Sequence, residues 1–321
     1  MKTIRIGTRG SQLALWQANT VAALLRARGV TTEIVTIKTA GDRLQEAPLS
    51  EVGGKRLFVK EIEEALLDGD VDLAVHSAKD LPAALPEGLT IAAVLPREDP
   101  RDALVLPEGV AADEFDAVLT HLGERPVIGT GSVRRVAQLA PLLPHATFVP
   151  VRGNVDTRLR QLDAGGFNGL VLASAGMRRL GFDSRISAAV PISRCIPAPG
   201  QGIIAVEIRS VDGNGTREAL AGVNDAATAA SLIAERAVVS GLGGGCQLPL
   251  GAVALHANRE LTLHAIVASL DGKRTVRREL AGPASDPETL GRLIAAELAR
   301  GGAIEILDDV RRAQGPVEGS Y

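Results

Sequence analysis

The chain has 321 residues, room for two or three domains at about 100–200 residues each. With 45% hydrophobic and 23% charged residues it has a globular composition, and a formal charge of -3 with 2% aromatics argues against a nucleic-acid surface or a base-stacking platform. No apolar run approaches the roughly 18 residues of a membrane span; the start Met1–Arg5 lacks the apolar stretch of a signal peptide, so the expectation is a cytoplasmic protein without membrane or nucleic-acid partners.

Thr3–Ile6 reads as a strand ending in Gly7-Thr8-Arg9-Gly10-Ser11. A helix follows, with Leu13, Trp16, Val21, Leu24 and Leu25 on one half of its wheel and Arg26, Arg28 and Gly29 at its end. Glu33–Lys38 is the next strand. Residues 41–56 lack a period and contain Pro48, Gly53 and Gly54, the pattern of a long functional loop. Val59, Ile62 and Leu66 mark a helix stopped at Gly69; Val71–Val75 is a buried strand, left through His76-Ser77-Ala78-Lys79-Asp80-Leu81-Pro82.

An internal repeat follows. Ile6-Gly7-Thr8 with Ser11 is echoed by Ile128-Gly129-Thr130 with Ser132, and Leu73–Ala78 by Leu170–Ala175. The spacing is shorter in the second copy by about the size of the 41–56 loop, so two related α/β lobes are expected. Pro96–Pro100 and Ile192–Pro199 are the crossings between them, and Gln201–Ile208 is a strand rejoining the first lobe. Residues 213–224 read as a polar linker. Ala226–Val239 forms a helix, followed by the glycine-rich run Gly241–Cys246. Leu250–Leu255, Leu261–Ala268 and Thr275–Leu280 alternate as strands, with Asp271-Gly272 a hairpin signal. Ser285 and Glu288 suggest a capping box for a final helix. The expected domains are 1–98 with 198–212, then 99–197, then 213–321.

The chemistry-bearing residues point to an anion. The chain has six lysines and 29 arginines, and several arginines stand where strands end. Gly129-Thr130-Gly131-Ser132 opens a helix that carries Arg134 and Arg135 in its first turn. Cations there oppose the helix dipole, so the pair requires a compensating anion. Arg152 ends the strand Thr147–Val151 and Arg158 lies near the start of the next helix; Arg178 and Arg179 follow Leu170–Ala173, and Arg9 holds the equivalent turn in the first lobe. The C-terminal ends of strands are where open α/β sheets bind ligands, so a polycarboxylate or phosphate is expected. Lys79-Asp80 reads either as a local ion pair or as an acid/base carboxylate in a cationic cleft. Cys246 lies among glycines that let another group approach, the setting of a functional thiol. Cys195 has no such context.

Together these residues resemble the porphobilinogen deaminase (hydroxymethylbilane synthase) family, over essentially the whole chain. The resemblance rests on Thr8–Ser11 with Leu13–Ala18, His76–Pro82, Arg97–Asp102, Gly129–Arg135, Arg152–Arg158, Pro199–Gly202 and Gly244-Gly245-Cys246. It implies two periplasmic-binding-protein-like lobes with a hinge and an active-site cleft, plus a small C-terminal α+β domain with a three-stranded antiparallel sheet. It implies an enzyme that joins four porphobilinogen units into hydroxymethylbilane with loss of four ammonia molecules. A covalent dipyrromethane cofactor on a Cys246 thioether would serve as primer, with Lys79, Asp80, Ser132, Arg134, Arg135 and Gln201 around it. Arg9, Ser11, Arg152, Arg158 and Arg179 match substrate-binding positions, and Lys55 and Phe58 a mobile active-site loop. Asp80 matches the catalytic carboxylate that stabilises the cationic azafulvene-like pyrrole left by ammonia loss. The implied partners are porphobilinogen and the growing polypyrrole, held by a monomer. Gly131, Glu51 and Arg56 depart from the family's usual serine, lysine and glycine. A non-catalytic two-lobed anion receptor is the rival reading; it leaves Cys246 and the third domain unexplained.

Overall fold

The period-two and period-3.6 patterns of the sequence become strands and helices whose ends fall within about three residues of expectation. The computed structural model describes residues 3–43, 59–110, 112, 114–212, 215–243 and 248–314. In chain order the elements that position the site are β1 (Ile4–Thr8), α1 (Gln12–Arg26), β2 (Thr32–Thr36), α2 (Ala40–Arg43), α3 (Lys60–Leu67), β3 (Leu73–Ser77), β4 (Leu89–Val94), β5 (Asp102–Val105), α4 (Phe115–Leu122), β6 (Val127–Gly129), α5 (Val133–Leu139), β7 (Thr147–Val149), α6 (Val155–Gln161), β8 (Gly169–Ala173), α7 (Ser174–Arg179), β9 (Ala188–Ala189) and β10 (Ile204–Arg209). The last part comprises α8 (Thr216–Ala221), α9 (Ala226–Gly241), β11 (Leu250–Ala257), β12 (Glu260–Ala268), β13 (Thr275–Pro283), α10 (Pro287–Arg300) and α11 (Ala303–Gln314).

Two five-stranded sheets share one topology. The first has the order β2-β1-β3-β10-β4 and the second β7-β6-β8-β5-β9. In each, the fourth strand is antiparallel to both neighbours and the others are parallel. The expected kinship of the lobes is therefore visible in the pairing. The register corrects its details. Ile6 pairs with Leu73 and Ile128 with Gly169, so Leu73 corresponds to Gly169 and not to Leu170, one residue away from the apparent echo. A one-residue slip exchanges the two faces of a strand, and the matched apolar runs hid it because both strands are buried on both faces.

Each sheet is covered on both sides. In the first lobe α1 packs Ala18, Val21, Ala22 and Leu25 on one face, and α3 packs Ile62 and Leu66 on the other. In the second lobe α4 and α5 cover one face, and α6 and α7 the other. The segment read as a polar linker contains α8, whose Leu220 joins Val223 in the first lobe's core. Gly and Asn at its start concealed a helix of only six residues. The structure also adds the edge strands β4 and β9, too short or too irregular to stand out. Of the loop expected at 41–56, residues 41–43 belong to α2, and 44–56 lie outside the described residues.

The C-terminal part is the expected α+β unit with an antiparallel sheet β11-β12-β13. Alternation divides its faces: Ala252 and Ala254 meet α9 and α10, while Val253 and Ile266 meet Ile196 of the return crossing. Two helices close the chain, not one. The cap of α10 is Asp286, whose carboxylate accepts from Thr289 N, so the Ser285–Glu288 box is not formed.

Glu235 of α9 fastens this unit to the lobes. It is fully buried; its carboxylate is paired with Arg97 of the outgoing crossing and accepts from Gly200 N (2.6 Å) of the return crossing and from Ala254 N (2.8 Å) of β11. Glu235→Ala would leave the Arg97 guanidinium without its counter-charge, held only by the Gln201 and Ala254 carbonyls, and two amides without their acceptor. A loss of about 3–5 kcal/mol is expected, measured as a lower urea midpoint at unchanged slope.

Candidate active site

The loops that follow the parallel strands converge on the two crossings. Gly200 has φ +73°, and a Cβ there would stand 2.9 Å from Ala78 C and Lys79 N. Gly202 has φ +87°, and its Cβ would lie 2.3 Å from Glu98 O. Both positions need glycine, for conformation and for space. They let the return crossing press against the Lys79–Asp80 turn on one side and the outgoing crossing on the other. Ala78 N donates to Ile203 O (2.9 Å), and Gln17 Nε2 donates to Ser77 Oγ (2.8 Å), which fixes the end of β3. Lys79 and Asp80 are half-buried in the 3-10 turn 78–80. Ser11 caps α1 by accepting from Ala14 N (3.3 Å), with Arg9 half-buried just before it.

In the second lobe Arg134 and Arg135 are buried, and the anion they require is in the chain. Asp102, the first residue of β5, is fully buried. Arg134 Nη1 and Nη2 donate to its two oxygens (2.8 and 3.1 Å), and Arg135 Nε donates to Oδ1 (3.0 Å). Gln201 Nε2 adds 2.9 Å to Oδ1 and 2.7 Å to Pro100 O. Arg134 Nη1 also reaches Ile196 O, and Arg135 Nη1 reaches Val171 O. Burial alone would raise the Asp102 pKa, but the two guanidiniums hold it well below the usual carboxylate range. One carboxylate faces two guanidiniums, so a positive charge is left over.

That excess extends outward. Arg158 donates Nε to Gly153 O (2.8 Å). Burial, together with repulsion from Arg135 and Arg152, pushes its pKa down from 12.5 to about 10. Arg135, Arg152 and Arg158 thus form one cationic cluster. Ser132 is the N-cap residue of α5 but makes no side-chain cap bond. Arg179 donates Nη2 to Gly202 O (2.6 Å), and burial lowers its pKa to about 10, with Glu98 opposing. Arg178, by contrast, is engaged with Asp99 and Glu98 on the outside.

The sequence-derived positions therefore meet. The Lys79–Asp80 turn touches Gly200, Gln201 reaches Asp102, Asp102 holds Arg134 and Arg135, and Arg135 adjoins Arg152 and Arg158. Cys246, Lys55 and Phe58 lie outside the described residues. Cys195 is a core thiol, fully buried beside Arg134 and Asp102; burial pushes its pKa up to about 12, so it stays protonated. Asp102 is the residue the sequence reading passed over. Its signal was an acidic residue directly before the apolar run Ala103–Leu106.

The fold and this site define a class: a two-lobed α/β protein with a cationic site at its double crossing and a third domain fastened to the hinge. Family models agree. The porphobilinogen deaminase dipyromethane cofactor binding domain matches residues 4–217, and the porphobilinogen deaminase C-terminal domain matches 229–300. The chain is 48% identical over 313 residues to the porphobilinogen deaminase of Acidithiobacillus ferrooxidans, covering 97% of this chain and 99% of that one. With the enzyme of Trichlorobacter lovleyi it shares 46% over 96% and 97%, and with that of Moorella thermoacetica 44% over 99% and 100%. Among solved structures, the second substrate binding domain of Lactococcus lactis GlnP aligns with a TM-score of 0.42 at 10% identity, over 70% of this chain and 88% of that one. The chain belongs to the porphobilinogen deaminase family.

Asp102 makes the site acid-sensitive. Its pKa is depressed in the folded state, so its contribution is complete above the unfolded value near 3.9 and is lost as pH falls toward the folded value. Stability should stay level from neutral pH to about pH 4 and then fall. Asp102→Asn should cost about 3–5 kcal/mol at pH 7, with the difference from the parent shrinking below about pH 4, as read by urea melts across pH.

Proposed function

We propose that the chain is a hydroxymethylbilane synthase that condenses four porphobilinogen molecules head to tail and releases four ammonia molecules. The observation that carries this reading is the charge imbalance at the crossings: Asp102 against Arg134 and Arg135, with Arg152 and the desolvated Arg158 adjoining. Each pyrrole carries an acetate and a propionate, so the growing chain brings further carboxylates to these guanidiniums. Forked guanidinium donors take them two bonds at a time.

The same residues fit the family's cofactor. A dipyrromethane is itself an acidic pyrrole pair, and Lys79, Ser132, Arg134, Arg135 and Gln201 would surround it while Cys246 holds it as a thioether. When bound, it supplies the primer carbon for chain growth. Arg9, Ser11, Arg152, Arg158 and Arg179 would bind incoming carboxylates, with Lys55 and Phe58 as further substrate-binding residues. Asp80 sits at the end of β3 on a turn fixed from below by Gln17 and from the side by Gly200. Its carboxylate would stabilise the positive charge that forms on the pyrrole as ammonia departs, and would take up a proton as the carbon–carbon bond is completed.

Among the described residues no helix is long and apolar enough to cross a membrane. Large exposed apolar side chains are spread along the chain, with Leu67 on α3, Leu255 on β11, and Val211 and Leu270 in the loops after β10 and β12, which supports a monomer; the cytoplasm is the proposed location.

Intact-mass measurement should find the purified chain heavier by two pyrrole units, with colour in an aldehyde test for pyrroles. A bare-chain mass without colour would refute the cofactor. Asp80→Asn should lower kcat by about 10²–10⁴-fold while leaving the melting curve unchanged; near-normal single-turnover rates would remove its role.

A further inference from the structure

Arg179 does not stand alone at the mouth of the site. Its guanidinium carbon lies 5.7 Å from the centre of the Trp16 ring. Trp16 is on α1 of the first lobe, and Arg179 ends α7 of the second. Here the two helices approach: a Cβ on Gly176 of α7 would be 3.6 Å from Leu13 Cδ2 of α1. Trp16 is the only tryptophan of the chain and is 39% exposed, so core packing does not account for a ring of that size. One Arg179 nitrogen is spent on Gly202 O of the return crossing. The guanidinium is thus held by an aromatic face from one lobe and a carbonyl from the hinge; neither contact supplies a negative charge, and Glu98, the carboxylate that acts on it from nearby, is paired with Arg178.

We infer that Trp16 is a positioning residue for the condensation: its ring holds the Arg179 guanidinium across the gap between the lobes, aimed for a substrate carboxylate. This rests on the reading of Arg179 as a carboxylate ligand. An aromatic face attracts a cation without neutralising it, so Arg179 stays oriented yet keeps its full charge for the incoming acid. An aspartate or glutamate in the same place would orient it equally well but compete with the substrate. The desolvation that lowers the Arg179 pKa fits a cation waiting for an anion. Because the pair joins the two lobes, drawing Arg179 onto a ligand changes the surroundings of the indole.

The test uses the cofactor-loaded enzyme and the variants Trp16→Leu, Trp16→Phe, Arg179→Gln and the double variant Trp16→Leu/Arg179→Gln. Trp16→Leu should raise KM for porphobilinogen about 5–30-fold with kcat within about threefold, from the usual strength of a cation–π contact. Trp16→Phe, which keeps an aromatic face, should restore KM to within about threefold of the parent. In the Arg179→Gln background, Trp16→Leu should add nothing. Porphobilinogen should change the tryptophan emission of the parent, and Arg179→Gln should abolish that change. If Arg179→Gln raises KM but Trp16→Leu does not, the inference fails and the carboxylate role of Arg179 stands. Equal losses from Trp16→Leu with and without Arg179 would make the ring merely structural and also overturn it. An unchanged KM in Arg179→Gln would overturn both.

Discussion

A single buried carboxylate organises the site. Asp102 begins β5 at the end of the outgoing crossing, yet its donors come from α5 of the second lobe and, through Gln201, from the return crossing. Both strands of the hinge are thereby fixed to the helix that starts the cationic cluster. The arrangement is not self-sufficient electrostatically. Two guanidiniums against one carboxylate leave a net positive charge away from water, and a unit charge pair at 4 Å is worth about 4 kcal/mol at an effective dielectric near 20. Burial costs consume much of that. What remains favours any ligand that brings its own carboxylates and can be desolvated together with the arginines.

The double crossing explains why the loops of two separate sheets can share one ligand. Each lobe lends its neighbour the strand at its boundary. β5 enters the second sheet directly after the outgoing crossing, and β10 enters the first directly after the return, each antiparallel between two parallel-running strands. The ends of β3 and β8 therefore sit beside the hinge, and Gly200 and Gly202 let the backbones touch there. A side chain at Gly200 would press on the turn that carries Lys79 and Asp80, and one at Gly202 on Glu98 of the outgoing crossing. The third domain clamps the same segment: Ala252 N donates to Pro197 O (3.0 Å), Arg277 Nη1 to Ser193 O (2.6 Å), and Glu235 accepts from Gly200 N. The return crossing is thus held from both sides, which keeps the orientation of the Asp80 turn independent of solvent-exposed loops.

The sequence made the ends of the parallel strands legible, because glycine, serine and arginine are costly there unless something uses them. Arg9, Ser132 and Arg152 stand on such turns, and Arg134, Arg135, Arg158 and Arg179 on the short helices that follow them. It was less informative about what is satisfied internally. Arg134 and Arg135 read as open anion sites, but Asp102, over thirty residues earlier in the chain, occupies part of their capacity; only long-range pairing reveals that. The repeat was genuine in topology and off by one in register, since runs of leucine, valine and alanine align equally well either way. Asp286 displaced the Ser285 cap because Pro287 at the first helical position fixes the start of α10. α8 escaped notice because six residues carry too little periodicity to outweigh the glycines beside them.

The predominance of arginine over lysine at these turns has a physical reason besides fork geometry. Arg158 and Arg179 have pKa values pushed down to about 10 by burial, aided at Arg158 by neighbouring cations. They remain protonated throughout the physiological range. A lysine begins near 10.4, and the same displacement would bring it to about 8, where a growing fraction is neutral at mildly alkaline pH. A cluster of lysines would shed protons to relieve its own repulsion and so lose the charge that attracts a polycarboxylate. Guanidinium cannot take that escape. Cations can be crowded beside Asp102 without losing their charge only if they are arginines, and the proposed binding of ever more acidic pyrrole chains would need that crowding.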